Sequence, residues 1–330
     1  MYSRILFFIG LFLFSALHSC QSDAKNKVEK KEITLKVPRF ERDSAFLYVS
    51  QQIAFGPRIP NSEAHKDCQN YLATSLKKFG AEVIEQKFNA NSFDGKSLNG
   101  NNIIGRFNPN AQRRILLGAH WDSRPYTDSP ITVGDKKRPV LGADDGASGV
   151  GVLLEIARQL QLNPLEFGVD IVFFDLEDYG DSNGGASETW CLGSQYFSKN
   201  LIYQSYNKPE YGILLDMVGA SGARFAKEEI SVQYAGNVVE KVWNLAQAMG
   251  YNNYFVNDRV GAITDDHYFV NSIAQIPMID IINRPIDTQT GFVAHWHTPE
   301  DTLDKIDRNT LRAVGQLILA VIYREHSGTL

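Results

Sequence analysis

The sequence predicts an α/β fold, a three-layer sandwich in which helices flank a mixed, largely parallel central sheet. Three observations carry this reading. From residue 40 to the C-terminus, apolar runs of strand length alternate with segments of helical periodicity. The runs at 114–119, 168–174, 211–215 and 276–282 are almost continuously apolar, as strands covered on both faces are. No repeat and no second composition regime interrupts the alternation, so 40–330 reads as one catalytic domain. With 330 residues, 43% of them hydrophobic and 22% charged, the chain has enough apolar material for a core of that size.

Two helices open the domain, at 44–55 and 61–79. The second has Asn61 or Ser62 as its N-cap and Gly80 just past its end. Strand-like runs follow at 81–88, 102–107 and 114–119, then a well-patterned helix at 147–162. The strand at 168–174 reads GVDIVFF. Strands at 211–215 and 276–282 alternate with helices at 238–249 and 310–324.

Residues 1–19 have the form of a lipoprotein signal peptide. Arg4 gives a basic start, and the apolar run at 5–17 is shorter than the roughly 20 residues a spanning helix needs. It ends in Leu17-His18-Ser19-Cys20, which resembles a bacterial lipobox, although His18 is an unusual occupant. Residues 20–39, polar and lysine-rich, read as a tether. The expectation is an exported protein, periplasmic or held at the outer membrane, that meets a membrane only through a lipid anchor at Cys20. Export would put Cys68 and Cys191 where a disulfide is permitted, and whether they pair depends on a separation that sequence does not carry.

A net charge of -5, from 33 basic and 38 acidic residues, argues against a nucleic-acid partner. Three cysteines do not make a disulfide scaffold.

The titratable residues sit in informative places. His120-Trp121-Asp122 follows the run at 114–119, Asp175-Leu176-Glu177-Asp178 follows 168–174, and Asp216 follows 211–215. Ligands of open α/β sheets bind outside the carboxyl ends of the strands, so these groups would converge on one rim. Asp144-Asp145 opens the helix at 147–162, and His295-Trp296-His297 precedes the last helix. A mixture of carboxylate and imidazole suits zinc, whose catalytic sites take about three protein ligands and keep one position open. Each cluster alone has a plainer reading. Asp144-Asp145 would serve as a helix cap, the acidic run after 168–174 as a solvated loop. His295 and His297 would point to opposite sides of an extended segment, leaving one to ligate. His65 and His326 receive no function.

The succession GAHWDS, GADDGASG, FFDLEDYG, LLDMVG, TDDHYFV and HWHTPEDTLD, between Gly118 and Asp304, resembles the zinc aminopeptidase fold family and, within it, the glutaminyl cyclases. That resemblance implies one Zn2+ held by Asp145, Asp178 and His297, with Asp178 one methylene shorter than the Glu more usual there. It implies Glu177 as general base, Asp216 and Asp265 as an acidic pair, and Trp296 and Phe292 as walls of the substrate pocket. The implied substrates are peptide or protein N-termini bearing Gln, cyclised to pyroglutamate with loss of ammonia, an acyl transfer; a monomer is expected. Retention of His120 and Asp216, with Asp145 bridging, keeps a two-zinc aminopeptidase as the alternative. One departure concerns the cyclase tryptophan in the loop after the base. The corresponding stretch, 179–186, is glycine-rich, and Trp190 falls a few residues late, where it reads as a loop anchor packed on the core.

Two other motifs fare worse. Gly180-Asp181-Ser182-Asn183-Gly184 matches Gly-x-Ser-x-Gly, but an acidic segment separates it from the strand, so the nucleophile elbow is not formed. Gly95-Lys96-Ser97 lacks the first glycine of a phosphate-binding loop, which is Ala90 here. A non-catalytic binding protein of this fold would have lost Glu177 or a ligand, and none is lost.

Overall fold

A six-stranded sheet carries the molecule, in the order β1-β2-β4-β3-β5-β8. The computed structural model describes Met1 and residues 36–330; the signal segment, Cys20 and most of the tether lie outside the described residues. Strands β3 (Arg114–His120), β4 (Gly168–Phe174), β5 (Gly212–Asp216) and β8 (Met278–Ile282) run parallel, and every residue in them is buried. Their continuous apolar runs follow from that double cover. Strands β1 (Glu82–Asn91) and β2 (Ser97–Phe107) form an antiparallel hairpin, and β2 joins β4 antiparallel, which makes the sheet mixed.

Side-chain alternation along the strands feeds two cores. On one face Ile115, Leu117, Ile171, Phe173 and Ile213 meet helices α1 (Arg42–Ile53), α2 (Glu63–Lys78), α3 (Ala147–Leu162), α5 (Glu229–Ala248) and α7 (Arg308–Ser327). On the other, Leu116, Val172, Phe174 and Leu214 meet Phe197 of α4 (Leu192–Lys199) and Val270, just past α6 (Asp266–Phe269). Three layers result. Between α3 and the sheet the approach is tight, since a Cβ added at Gly149 would lie 2.2 Å from the Leu215 carbonyl oxygen.

The register aligns the strand ends. His120 lies opposite Phe174, Gly118 opposite Leu214, and Asp216 opposite Ile282. The segments leaving β3, β4, β5 and β8 therefore emerge along one rim. Helix α3 and strand β4 keep the boundaries expected from periodicity. Ser62 is the N-cap of α2, accepting from the His65 N–H, and Gly80 follows the helix at φ 84°. Helix α5 begins nine residues before its expected start at 238, because a break at Ala235 (φ -138°) divides it and hides the first half from a periodicity search. A small second sheet of β6 (Phe225–Glu228) and β7 (Phe255–Val260) was not expected; the two strands are four and six residues long, and half of β7 is exposed. Cys68 and Cys191 are both buried and free. Among the described residues, no helix is long and apolar enough to cross a membrane.

Candidate metal centre and substrate pocket

The turn after β4 is held by carboxylates that are not themselves candidate ligands. Asp122, just past β3, accepts from the backbone N–H groups of Glu177 and Asp178, each at 3.1 Å. Asp175 accepts from the N–H groups of Asn101 at 2.7 Å and Leu176 at 2.8 Å, and it meets His65 Nε2 at 2.8 Å. Between them, Leu176 is held at φ 55°, a left-handed conformation that a branched side chain adopts only when its surroundings enforce it. The strain points Glu177 and Asp178 into one cavity. Buried His65, to which sequence assigned no function, supports this turn from α2 and stacks on Trp121 at 4.2 Å.

Asp145 is fixed in the same indirect way. Asp301 accepts from the N–H groups of Asp144 (2.8 Å) and Asp145 (3.1 Å), while Asp144 accepts from Gly219 N–H and meets His295 Nε2 at 2.9 Å. Asp144 and His295 thus occupy each other, and Asp145 and His297 face the cavity. His297 itself has φ 54°. Its Nδ1 lies 3.1 Å from Asp128 Oδ1 and its Nε2 3.0 Å from Asp178 Oδ1. A proton on Nδ1 directed at Asp128 leaves the Nε2 lone pair free for a metal, the usual carboxylate–histidine–metal arrangement. Asp128 has no motif around it and was not found from sequence. Although burial opposes it, contacts with His297 and Arg124 hold its carboxyl well below the usual range.

Donor atoms of Asp145, Asp178 and His297 lie within 4.8 Å of one another, as do those of His120, Asp145 and Asp216. Both Asp178 oxygens, Asp145 Oδ2 and both His120 nitrogens are buried without aligned hydrogen bonds. Such groups cost several kcal/mol each unless an opposite charge compensates them. Two carboxylates and one imidazole converging with lone pairs unspent fit a zinc ion. The second set shares Asp145 with the first.

Burial pushes the Glu177 carboxyl well above its ordinary value; His120 opposes this, and Asp178, Asp265 and Asp266 add to it. Burial likewise raises Asp216 to about 8, with His120 opposing and Asp265 and Asp145 reinforcing. Asp265 is raised for the same first reason. Cys191 donates its backbone N–H to the Glu177 carbonyl (2.9 Å) and its thiol to Glu177 Oε1 (3.2 Å).

Glu177, Asp216, Asp265, Phe292, Trp296 and Trp190 line one cavity of about 410 Å³, together with the three ligand candidates. Phe292 stacks on Trp296 (4.3 Å, 16°), which stacks on His297 (3.9 Å, 19°). Trp190 packs on Gly180 and under the buried Arg124 guanidinium at 4.7 Å, as the expected loop anchor would, and it also lines the cavity, parallel to the His297 ring within 15°. Its numbering is misleading because the loop folds back through a 3-10 turn at Ser187–Thr189. Backbone bonds from Cys191 to Glu177 and from Leu192 to Leu176 then return the chain beside Glu177. Ser182 lines the cavity from an exposed turn, where its hydroxyl donates to Asp128 at 2.6 Å.

The family model for peptidase family M28 matches residues 102–322, which include every ligand candidate. A solved glutaminyl cyclase from Tannerella forsythia is 52% identical, covering 87% of this chain and 99% of its own, with a TM-score of 0.84. A Zn-dependent exopeptidase from Parabacteroides distasonis is 50% identical over the same shares, with a TM-score of 0.85. Aminopeptidase YwaD of Bacillus subtilis is 27% identical over 81% of this chain, and the chain spans about half of that protein, 54% of its length. With the match extending over more than half of the sequence and across the whole candidate site, the chain belongs to peptidase family M28.

Proposed function

We propose that the protein is a zinc-dependent glutaminyl-peptide cyclotransferase that converts the N-terminal glutamine of peptides or proteins to pyroglutamate. The observation that carries this reading is the union, in one cavity, of a three-residue metal cradle, a carboxyl with a raised pKa and a wall of three aromatic rings. A solved relative of the same fold, 52% identical, is a glutaminyl cyclase.

In the reaction the α-amine attacks the γ-amide carbonyl carbon of its own residue, a C–N bond closes the ring, and the amide C–N bond breaks to release ammonia. Asp145, Asp178 and His297 would hold one zinc, which when bound supplies polarisation of that carbonyl oxygen. Glu177 takes a proton from the attacking amine and returns it to the departing nitrogen, so no net proton is consumed; a carboxyl raised by burial is suited to both halves of the transfer. Asp216 and Asp265 orient the amine and the leaving group. Trp296, Phe292 and Trp190 hold the aliphatic stem and exclude water, which would otherwise compete by hydrolysis.

The second donor set, His120, Asp145 and Asp216, favours one other reading, a two-zinc aminopeptidase. Incubation of purified full-length chain with a Gln-initiated peptide separates the two. Product lighter by one ammonia, with about one zinc per chain, is expected; free glutamine plus a shortened peptide sinks the cyclase reading. The proposal also places the mature protein outside the cytoplasm as a monomer anchored through lipidated Cys20, and Cys20→Ala should release it from the membrane fraction.

A further inference from the structure

Arg284, two residues past β8, is named by no motif and touches both loops that form one side of the cavity. Its Nε donates to the Gly291 carbonyl at 3.2 Å and its Nη1 to the Gly261 carbonyl at 3.0 Å. Its guanidinium lies over the Phe292 ring at 4.9 Å. Gly291 has φ 74°, and a Cβ added there would come within 3.1 Å of Arg284 Nη2. The backbone is thus shaped to admit the guanidinium. Gly261 precedes Ile263, Thr264 and Asp265, all of which line the cavity. The loop bearing Phe292 is laced internally by Thr288 Oγ1, which donates to the Phe292 carbonyl (2.8 Å), and by Thr290 Oγ1, which accepts from the Phe292 N–H (3.1 Å). Those bonds shape the loop, and Arg284 ties it to the loop of Asp265.

We propose that Arg284 is a positioning residue that clamps the Asp265 loop to the Phe292 loop and so sets the width of the slot receiving the substrate side chain. The Arg284–Phe292–Trp296–His297 stack carries that setting from the loop to a ligand candidate. Only a planar fork can reach two carbonyls while lying over a ring, so lysine is not an equivalent occupant. The inference rests on the cyclase reading, because it concerns how the slot admits glutamine.

Steady-state kinetics of the full chain on a Gln-initiated peptide test it. Arg284→Ala is expected to raise KM about tenfold while kcat falls less than about threefold, the signature of lost substrate fit rather than lost chemistry. Arg284→Lys should recover part of the KM, and Arg284→Ala combined with Phe292→Leu should cost less than the sum of the two single changes, since both act on one wall. KM within about twofold of the parent in the alanine and lysine variants overturns the proposal, as does full additivity with Phe292→Leu. Should Arg284→Ala fail to fold, Arg284→Lys decides alone: a KM rise with kcat held supports the clamp, and parent-like kinetics refute it. A parent with no cyclase activity overturns the cyclase reading and this inference together; an active parent with unaltered variants overturns only this inference.

Discussion

Under the proposed cyclase reaction Glu177 is the residue on which the chemistry turns, and it lies beside a ligand candidate without belonging to the three-residue cradle. Glu177→Gln keeps volume and hydrogen bonding while removing the transferable proton. It should leave zinc stoichiometry unchanged and lower kcat by about 100-fold to 10,000-fold; metal analysis and kinetics on one preparation check both halves, and retained turnover would exclude the proton shuttle. Cys191 bears on the same carboxylate. Burial pushes its thiol well above the ordinary value, so it remains a donor. By holding Oε1 it leaves Oε2 for the substrate, and Cys191→Ala should lower kcat more than it raises KM, with Cys191→Ser intermediate. Neither Cys191 nor Trp190 was legible as a site residue from spacing, because their place beside Glu177 depends on backbone bonds to residues 176 and 177. His65 and Asp128 were illegible for a different reason. Their partners, Asp175 and His297, are 110 and 169 positions away, and no local pattern records such a pairing. The ligand candidates stood out because each sits in a short acidic or histidine cluster at an element boundary.

Among the elements, legibility followed length and burial. Helix α3 and strand β4 were readable to their ends because uninterrupted periodicity or continuous apolarity leaves no competing assignment. Strands β6 and β7 and helices α4 and α6 were not, being short and stabilised by neighbours rather than by their own pattern. Helix α3 also does positional duty, since its packing on β5 sets where Asp145 meets His120 and Asp216. Gly149 is the point of closest approach. Gly149→Ala would drive a methyl group into the Leu215 carbonyl, so α3 must move away from the sheet. The expected cost is about 1–3 kcal/mol in urea unfolding, accompanied by weaker zinc retention on dialysis because Asp145 shifts with its helix. Unchanged stability with unchanged metal affinity would show that α3 does not set the ligand position.

At the scale of the whole molecule, folding has concentrated carboxylates against one rim of the sheet, and that concentration has a consequence for stability. In metal-free protein, Asp301 is raised to about 7 and Asp216 to about 8, both first by burial. His297 is raised to about 9, where Asp178 and Asp128 outweigh the burial that opposes it. All three bind protons more tightly folded than unfolded, so each contributes stability that is present at low pH and lost as pH rises through its folded value. The groups held low, among them Asp128 and Glu228, act in the opposite sense, and only in acid. Between about pH 6 and 9 the raised groups therefore govern the slope. Chelator-treated protein should melt progressively lower across that interval, by roughly 2 °C or more for each kcal/mol lost. Zinc restores a positive charge among the same carboxylates and binds only the folded cradle, so it should raise the melting temperature in proportion to ln(1 + [Zn]/Kd). The rise should be largest at the alkaline end, where ligands need not shed protons to accept the metal. Thermal denaturation at pH 6, 7.5 and 9 with and without zinc measures both trends. A metal-free protein equally stable throughout would mean that the carboxylates share their protons without cost, and that the rim is not an electrostatic reservoir awaiting a cation.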